Sequence, residues 1–257
     1  MSKDNPAAKQ RADLRSGAKG IKDAVRRQDW QAAMDLIQMY APNAASAGHP
    51  ELIDAWIQSL PEEFVQGSPE LSYWSGINIV FVRPWEARPH LQRAFDLLRD
   101  GPCGNGVLLA WAGLLDAIFA LYRDLRELDP LLDWMTLERE GIVDRMPPPL
   151  RSLVVGSALF AFAFRQPQHP RMGKWRDRAQ KLFERDPVSD LGARLIAGLM
   201  TDYLWRGNIA EAEVLWCQFR ARAARVRLTP LTDVSRYLSE STLRNVSMTL
   251  RHPTALI

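Results

Sequence analysis

The chain has 257 residues, 47% of them hydrophobic and 25% charged, with a formal net charge of +3. That is ordinary globular composition, long enough for one large domain, two small ones or an undivided repeat array. The charge is too mild to imply nucleic acid by itself, one pair of cysteines makes no disulfide framework, and no apolar run is long enough to span a bilayer.

Residues 1–17 are polar and basic and lack the apolar core of a signal peptide. They read as a flexible arm or the start of a first helix, preceding a single helical-repeat domain over 18–257. Ile21, Ala24, Val25, Trp30, Ala33, Leu36, Ile37 and Tyr40 then follow helical spacing around Gln28-Asp29, and Ala41-Pro42-Asn43 is expected to close that hairpin. His49-Pro50 opens a helix with Leu52, Ile53, Trp56, Ile57 and Leu60 on one face. Pro69 begins a helix expected to run to Arg83, and Pro84 suits the first turn of its partner, through about Leu98. Further pairs are expected at 105–122 with 125–140, 150–165 with 171–185, and 188–206 with 208–227. Val107–Leu121 and Ser152–Phe164 are apolar nearly all round, as helices buried between neighbours are. No alternating run bounded by a hairpin turn predicts a sheet.

Five arginines, Arg27, Arg83, Arg123, Arg165 and Arg206, stand at the same place in this pattern. The first interval is 56 residues, lengthened by the extra helix, and the others are 40, 42 and 41. Val82, Tyr122, Phe164 or Trp205 precedes the last four. Self-similarity at this period marks a stacked helical array. Each arginine complements the carbonyl end of its helix and can pair with a neighbouring carboxylate; alternatively the ladder reads acidic peptide or phosphate. Most of the nine tryptophans are expected at helix packing points, and Cys103 and Cys217 as free buried thiols of a reducing compartment. A helix over about 231–250 leads to Arg251-His252-Pro253 with no partner helix after it. The expectation is an incomplete last repeat, from a longer protein or from an open end that docks onto something.

Leu204-Trp205-Arg206-Gly207-Asn208-Ile209-Ala210-Glu211-Ala212 resembles the tetratricopeptide-like turn, in which glycine permits the bend and small alanines let helices approach. Ala55–Glu63 with Pro69–Gly76, and Phe164–Pro170 with Trp175, resemble segments of the MalT-like helical-repeat region of large bacterial ATP-dependent transcriptional regulators. The resemblance covers most of residues 20–250. It implies an all-α, right-handed α-α superhelix of about five to six antiparallel hairpins, acting as a cytoplasmic sensor or scaffold. The nucleotide-binding and DNA-binding domains of such regulators are not visible here, and no phosphate-binding glycine loop occurs.

Little points to catalysis. His49, His90, His169 and His252 have no zinc-ligand spacing, and three of them precede proline in turns. There is no Gly-x-Ser-x-Gly. No cofactor is expected. Asp116 and Asp202 lie in apolar helices and each needs a partner, an arginine of the array or a ligand group. Asn78 and Arg165 lie on equivalent first helices, which commonly line the concave surface of such arrays. These four are the groove candidates. The expected function is a non-catalytic module that binds a protein partner, other domains of the same regulator or a small effector in the groove. The alternative is nucleic-acid binding through Arg220, Arg222, Arg225, Arg227, Arg236, Arg244 and Arg251, which a salt titration would expose.

Overall fold

The computed structural model describes residues 6–185 and 190–223, and every regular element among them is helical. Two compact units meet in sequence at Leu121 and Tyr122; the expected single domain over 18–257 draws no boundary there. The first unit contains α1 (Pro6–Arg26), α2 (Trp30–Ser46), α3 (Pro50–Gln58), α4 (Glu62–Gly67), α5 (Pro69–Ile77), α6 (Pro84–Leu98) and α7 (Asn105–Leu121). The second contains a 3-10 turn (Leu125–Leu128), α8 (Asp129–Trp134), α9 (Leu137–Arg145), α10 (Pro148–Arg165), α11 (Met172–Arg185), α12 (Asp190–Trp205) and α13 (Ile209–Ala223). The expected terminal helix at 231–250, with the incomplete repeat, lies outside the described residues. No described helix is long and apolar enough to cross a membrane.

In the first unit α1 packs on α2, α2 on α3, and α6 between α5 and α7. Leu91 of α6 sits in a notch on each side. A Cβ added to Gly76 of α5 would lie 2.5 Å from Leu91 Cγ, and one added to Gly113 of α7 would lie 2.8 Å from Leu91 Cδ2. The helix axes therefore approach too closely for a larger residue at either place. In the second unit α10 packs on α11 and most broadly on α12, while α8 and α9 cover it elsewhere. Ser152, Val154–Leu159 and Ala161–Ala163 of α10 are buried, as its apolar sequence requires.

Several boundaries differ from the sequence expectation. The arm over 1–17 becomes helix from Pro6, with Leu14 buried on the stripe that continues through Ile21 and Ala24. Pro42 does not close the first hairpin but lies inside α2. Ala33, Ile37, Ala41 and Ala44 are wholly buried on one face, and that packing outweighs the roughly 3 kcal/mol of an interior proline. Helix α5 stops at Ile77, six residues before Arg83. Its β-branched continuation, Ile79-Val80-Phe81-Val82, tightens to short bonds from Ile79 N–H to Gly76 O (3.1 Å) and Val82 N–H to Ile79 O (3.0 Å). The helix expected over 125–140 is broken, because Pro130 fits only a first turn and Thr136 caps α9 by accepting from Arg139 N–H at 3.5 Å. Cys103 is half-buried and Cys217 exposed, not buried as expected.

Three helix ends repeat one hydrogen-bond pattern. After α1, Asp29 N–H donates to Ala24 O (3.0 Å) and Gln28 N–H to Val25 O (3.0 Å); after α12, Asn208 N–H donates to Tyr203 O (2.8 Å) and Gly207 N–H to Leu204 O (3.0 Å). His49 and Gly48 do the same after α2. These paired bonds satisfy the last carbonyls and require a left-handed residue, here Gln28 (φ 56°), Gly207 (φ 75°) and Gly48 (φ 76°). Gln28 alone of the three carries a Cβ in that conformation. Gln28→Gly is expected to stabilise its unit by about 0.5–1 kcal/mol and Gly207→Ala to destabilise its own by about 1 kcal/mol, read as opposite shifts of a few degrees in thermal unfolding.

Candidate interaction surface

The recurrent arginines fall at helix ends, as their spacing implied. Arg27 and Arg206 directly follow α1 and α12, Arg123 follows α7 by two residues, and Arg165 ends α10. Arg83 departs, serving as N-cap of α6 and pairing with Glu86 at 2.7 Å. Arg165 Nη2 donates to Asp129 Oδ2 at 2.6 Å, and Gln166 Nε2 to Asp129 Oδ1 at 3.3 Å. This joins a cation at a helix C-terminus to an anion at the start of α8, so both dipoles favour the pair. Arg165 Nε is buried without a hydrogen-bond partner among the described residues.

Asp202 is the more buried partner. Its side chain is 2% exposed and chelated by Arg176 of α11, through Nη2 to Oδ1 at 3.1 Å and a close Nε–Oδ2 contact. Arg206 Nη1 stands 3.8 Å away. The Asp202 hydrogen bond raises the Arg176 pKa, and burial raises that of Tyr203. Asn78 caps the C-terminus of α5, and its Nδ2 is a buried donor without a partner among the described residues. Asp116 is buried in α7, 8% exposed. Asn78 and Asp116 thus belong to the first unit and Arg165 and Asp202 to the second.

Three of the four residues that precede the later arginines are exposed, and Trp205 among them departs from the packing expected of most tryptophans. Val82 is 75% exposed, Tyr122 68% and Trp205 61%. Phe164 is partly buried and meets Trp205 edge-to-face at 5.6 Å, with Phe160 at 4.9 Å on its other side. Trp85 is also largely exposed, whereas Trp56, Trp111, Trp175 and Trp216 are core residues. The ends of α10 and α12 therefore present an aromatic cluster beside two guanidinium groups.

A buried carboxylate also escaped the sequence reading. Glu140 of α9 accepts from Arg171 Nη1 at 2.7 Å and Arg178 Nη1 at 2.9 Å. Arg178 also forks onto Asp144, with both bonds at 2.8 Å, and lies 4.9 Å over the Trp175 ring. Glu140 and Val143, three residues apart, are the two buried positions of α9, and that spacing was the available signal. His169 stacks on Phe162 at 4.8 Å and accepts the Arg171 N–H at Nδ1, 3.2 Å. His49 stands as N-cap of α3 with Glu51 at 2.9 Å; His252 lies outside the described residues. No family model, curated protein or solved structure matches this chain.

Asp202→Ala leaves the Arg176 charge without its partner and is expected to cost about 2–4 kcal/mol in denaturant unfolding. Arg206→Ala removes a long, half-exposed pair and is expected to cost under about 1 kcal/mol. The two results would rank the ladder position below the buried clamp. His169 has its pKa lowered from 6.5, first by burial and then by Arg171. The unfolded chain therefore takes up this proton first. Its contribution to stability is complete above about pH 6.5 and is lost as pH falls from there through the folded-state value. His169→Gln is expected to flatten that part of the pH–stability curve, measured by denaturant midpoints.

Proposed function

We propose that this chain is a non-catalytic interaction module, with a tetratricopeptide-like, right-handed α-α superhelix of about 41-residue repeats, from a MalT-like bacterial transcriptional regulator. Its partner is a protein or another domain of the same regulator. The observation that carries this reading is the aromatic–arginine end of the helices, where exposed Trp205 and Arg206 stand with half-buried Phe164 and Arg165. Large rings that lose little entropy, beside guanidinium groups, are the composition of interface hot spots. The near-regular arginine intervals and the identical closures after α1 and α12 support the repeat. Asn78, with its unpartnered Nδ2, is the remaining groove donor; Arg165 and Asp202 already hold ion pairs and act by shaping the surface. A small effector would act by favouring one arrangement of the array over another.

The test compares the full chain with Trp205→Ala and Phe164→Ala variants against isolated domains of the cognate regulator. A complex weakened about tenfold or more by either change supports the reading. A complex of unchanged affinity, or none with any regulator domain, counts against it. Parallel titration with duplex DNA separates the nucleic-acid alternative, whose arginines from Arg222 onward lie outside the described side chains. Binding to DNA that falls steeply with salt, with no protein complex, would transfer the function to that surface.

A further inference from the structure

One face of α11 carries Lys174, Arg178, Lys181 and Arg185, spaced so that all four fall in line. With Arg151 of α10 and Asp144 of α9 they line a cleft of about 360 Å³, at the small end of ligand-binding sites. Five lining residues are basic; the acidic ones are Asp144 and Asp177. Asp144 is already occupied by the two-pronged bond from Arg178, whose third donor goes to Glu140. Arg178 is therefore a fixed wall.

Arg151, Lys174, Lys181 and Arg185 remain, none in a salt bridge among the described residues, and Asp177 is the one acidic lining group left beside them. Arg151 Nε is a buried donor with no hydrogen-bond partner there. Arg151 and Lys174 act on Asp144 only at longer range, adding to Arg178 in holding its carboxyl below the usual range. Like charges gathered in one recess repel, and a bound anion turns that repulsion into attraction. Leu182 is the one apolar residue among those lining the cleft, and no aromatic side chain lines it.

We propose that this cleft binds a compact polyanion, a small molecule carrying two or three linked phosphate groups. Lys174 and Lys181 supply mobile point charges on flexible stems, and Arg151 a directional donor from the floor. The two lysines are exposed, so exchanging them leaves the core untouched.

Calorimetric titration of the full chain with tripolyphosphate at low ionic strength is expected to give saturable binding, with orthophosphate weaker. The double variant Lys174→Gln/Lys181→Gln is expected to unfold at the same temperature and to bind about tenfold or more weakly. Lys19→Gln/Lys22→Gln removes the same charge from the exposed side of α1 in the first unit and is expected to change affinity less than about threefold. Absence of saturable binding, or equal weakening by both double variants, overturns the site. ATP binding about tenfold tighter than tripolyphosphate overturns the ligand class, since the adenosine would then supply a gain that phosphate charge does not.

Discussion

Helix α11 is held in place by buried charge as much as by apolar contact. Its core residues are Met172, Trp175, Ala179, Leu182 and Phe183, and the remaining positions are polar. Arg176 reaches Asp202 on α12, and Arg178 reaches Glu140 and Asp144 on α9, while Arg171, just before the helix, shares Glu140. Asp202 and Glu140 side chains are each 2% exposed, so neither charge is tolerable without its guanidinium partners. Desolvation offsets much of the attraction in such pairs. What they contribute is register: a forked guanidinium accepts one placement of two carboxylate oxygens, where an apolar contact accepts many.

That register positions both surfaces of the second unit. The Asp202 clamp lies one turn before Trp205 and Arg206, and so fixes the end of α12 from which the aromatic cluster projects. The Glu140 clamp orients Arg178 across Trp175 and sets the face of α11 that carries the lysines. The stack of Phe162 on Trp175 at 5.9 Å ties the same helix to the core of α10.

The helical class and most helix starts were legible because they depend on local chemistry. Proline at first turns, as at Pro50, Pro69 and Pro84, and apolar runs such as Ser152–Phe164 act within a few residues of themselves. Boundaries failed where tertiary contact overrode that chemistry: Pro42 stays helical because Ala41 and Ala44 are packed, and α5 ends early at a β-branched run. Asp116 and Asp202 stood out because they interrupt apolar helices. Glu140 did not, because charged residues hold five of the nine positions of α9 and only the partner arginines, more than thirty residues later, define its inner face. The exposed rings were hidden for a related reason. Burial of an aromatic residue at a helix end depends on what the next element covers, and Trp175 and Trp205 are alike in composition but not in surroundings.

The shared helix raises the question of whether a ligand at the lysine-rich face would alter the aromatic ends. A ligand shifts an arrangement only by its difference in affinity for two of them. At α11 the alternatives are constrained. Moving Arg178 would break its bonds to Glu140 and Asp144 together, and sliding the helix would also draw Arg176 from Asp202, leaving that buried carboxylate without its clamp and Glu140 with Arg171 alone. The groups able to respond at little cost are Lys174 and Lys181, whose stems reorient without disturbing the backbone. Charge neutralisation at the cleft would therefore stiffen the unit as it stands, and any change in partner affinity would come from altered surface potential, a term that salt screens and that leaves the geometry of Trp205 alone.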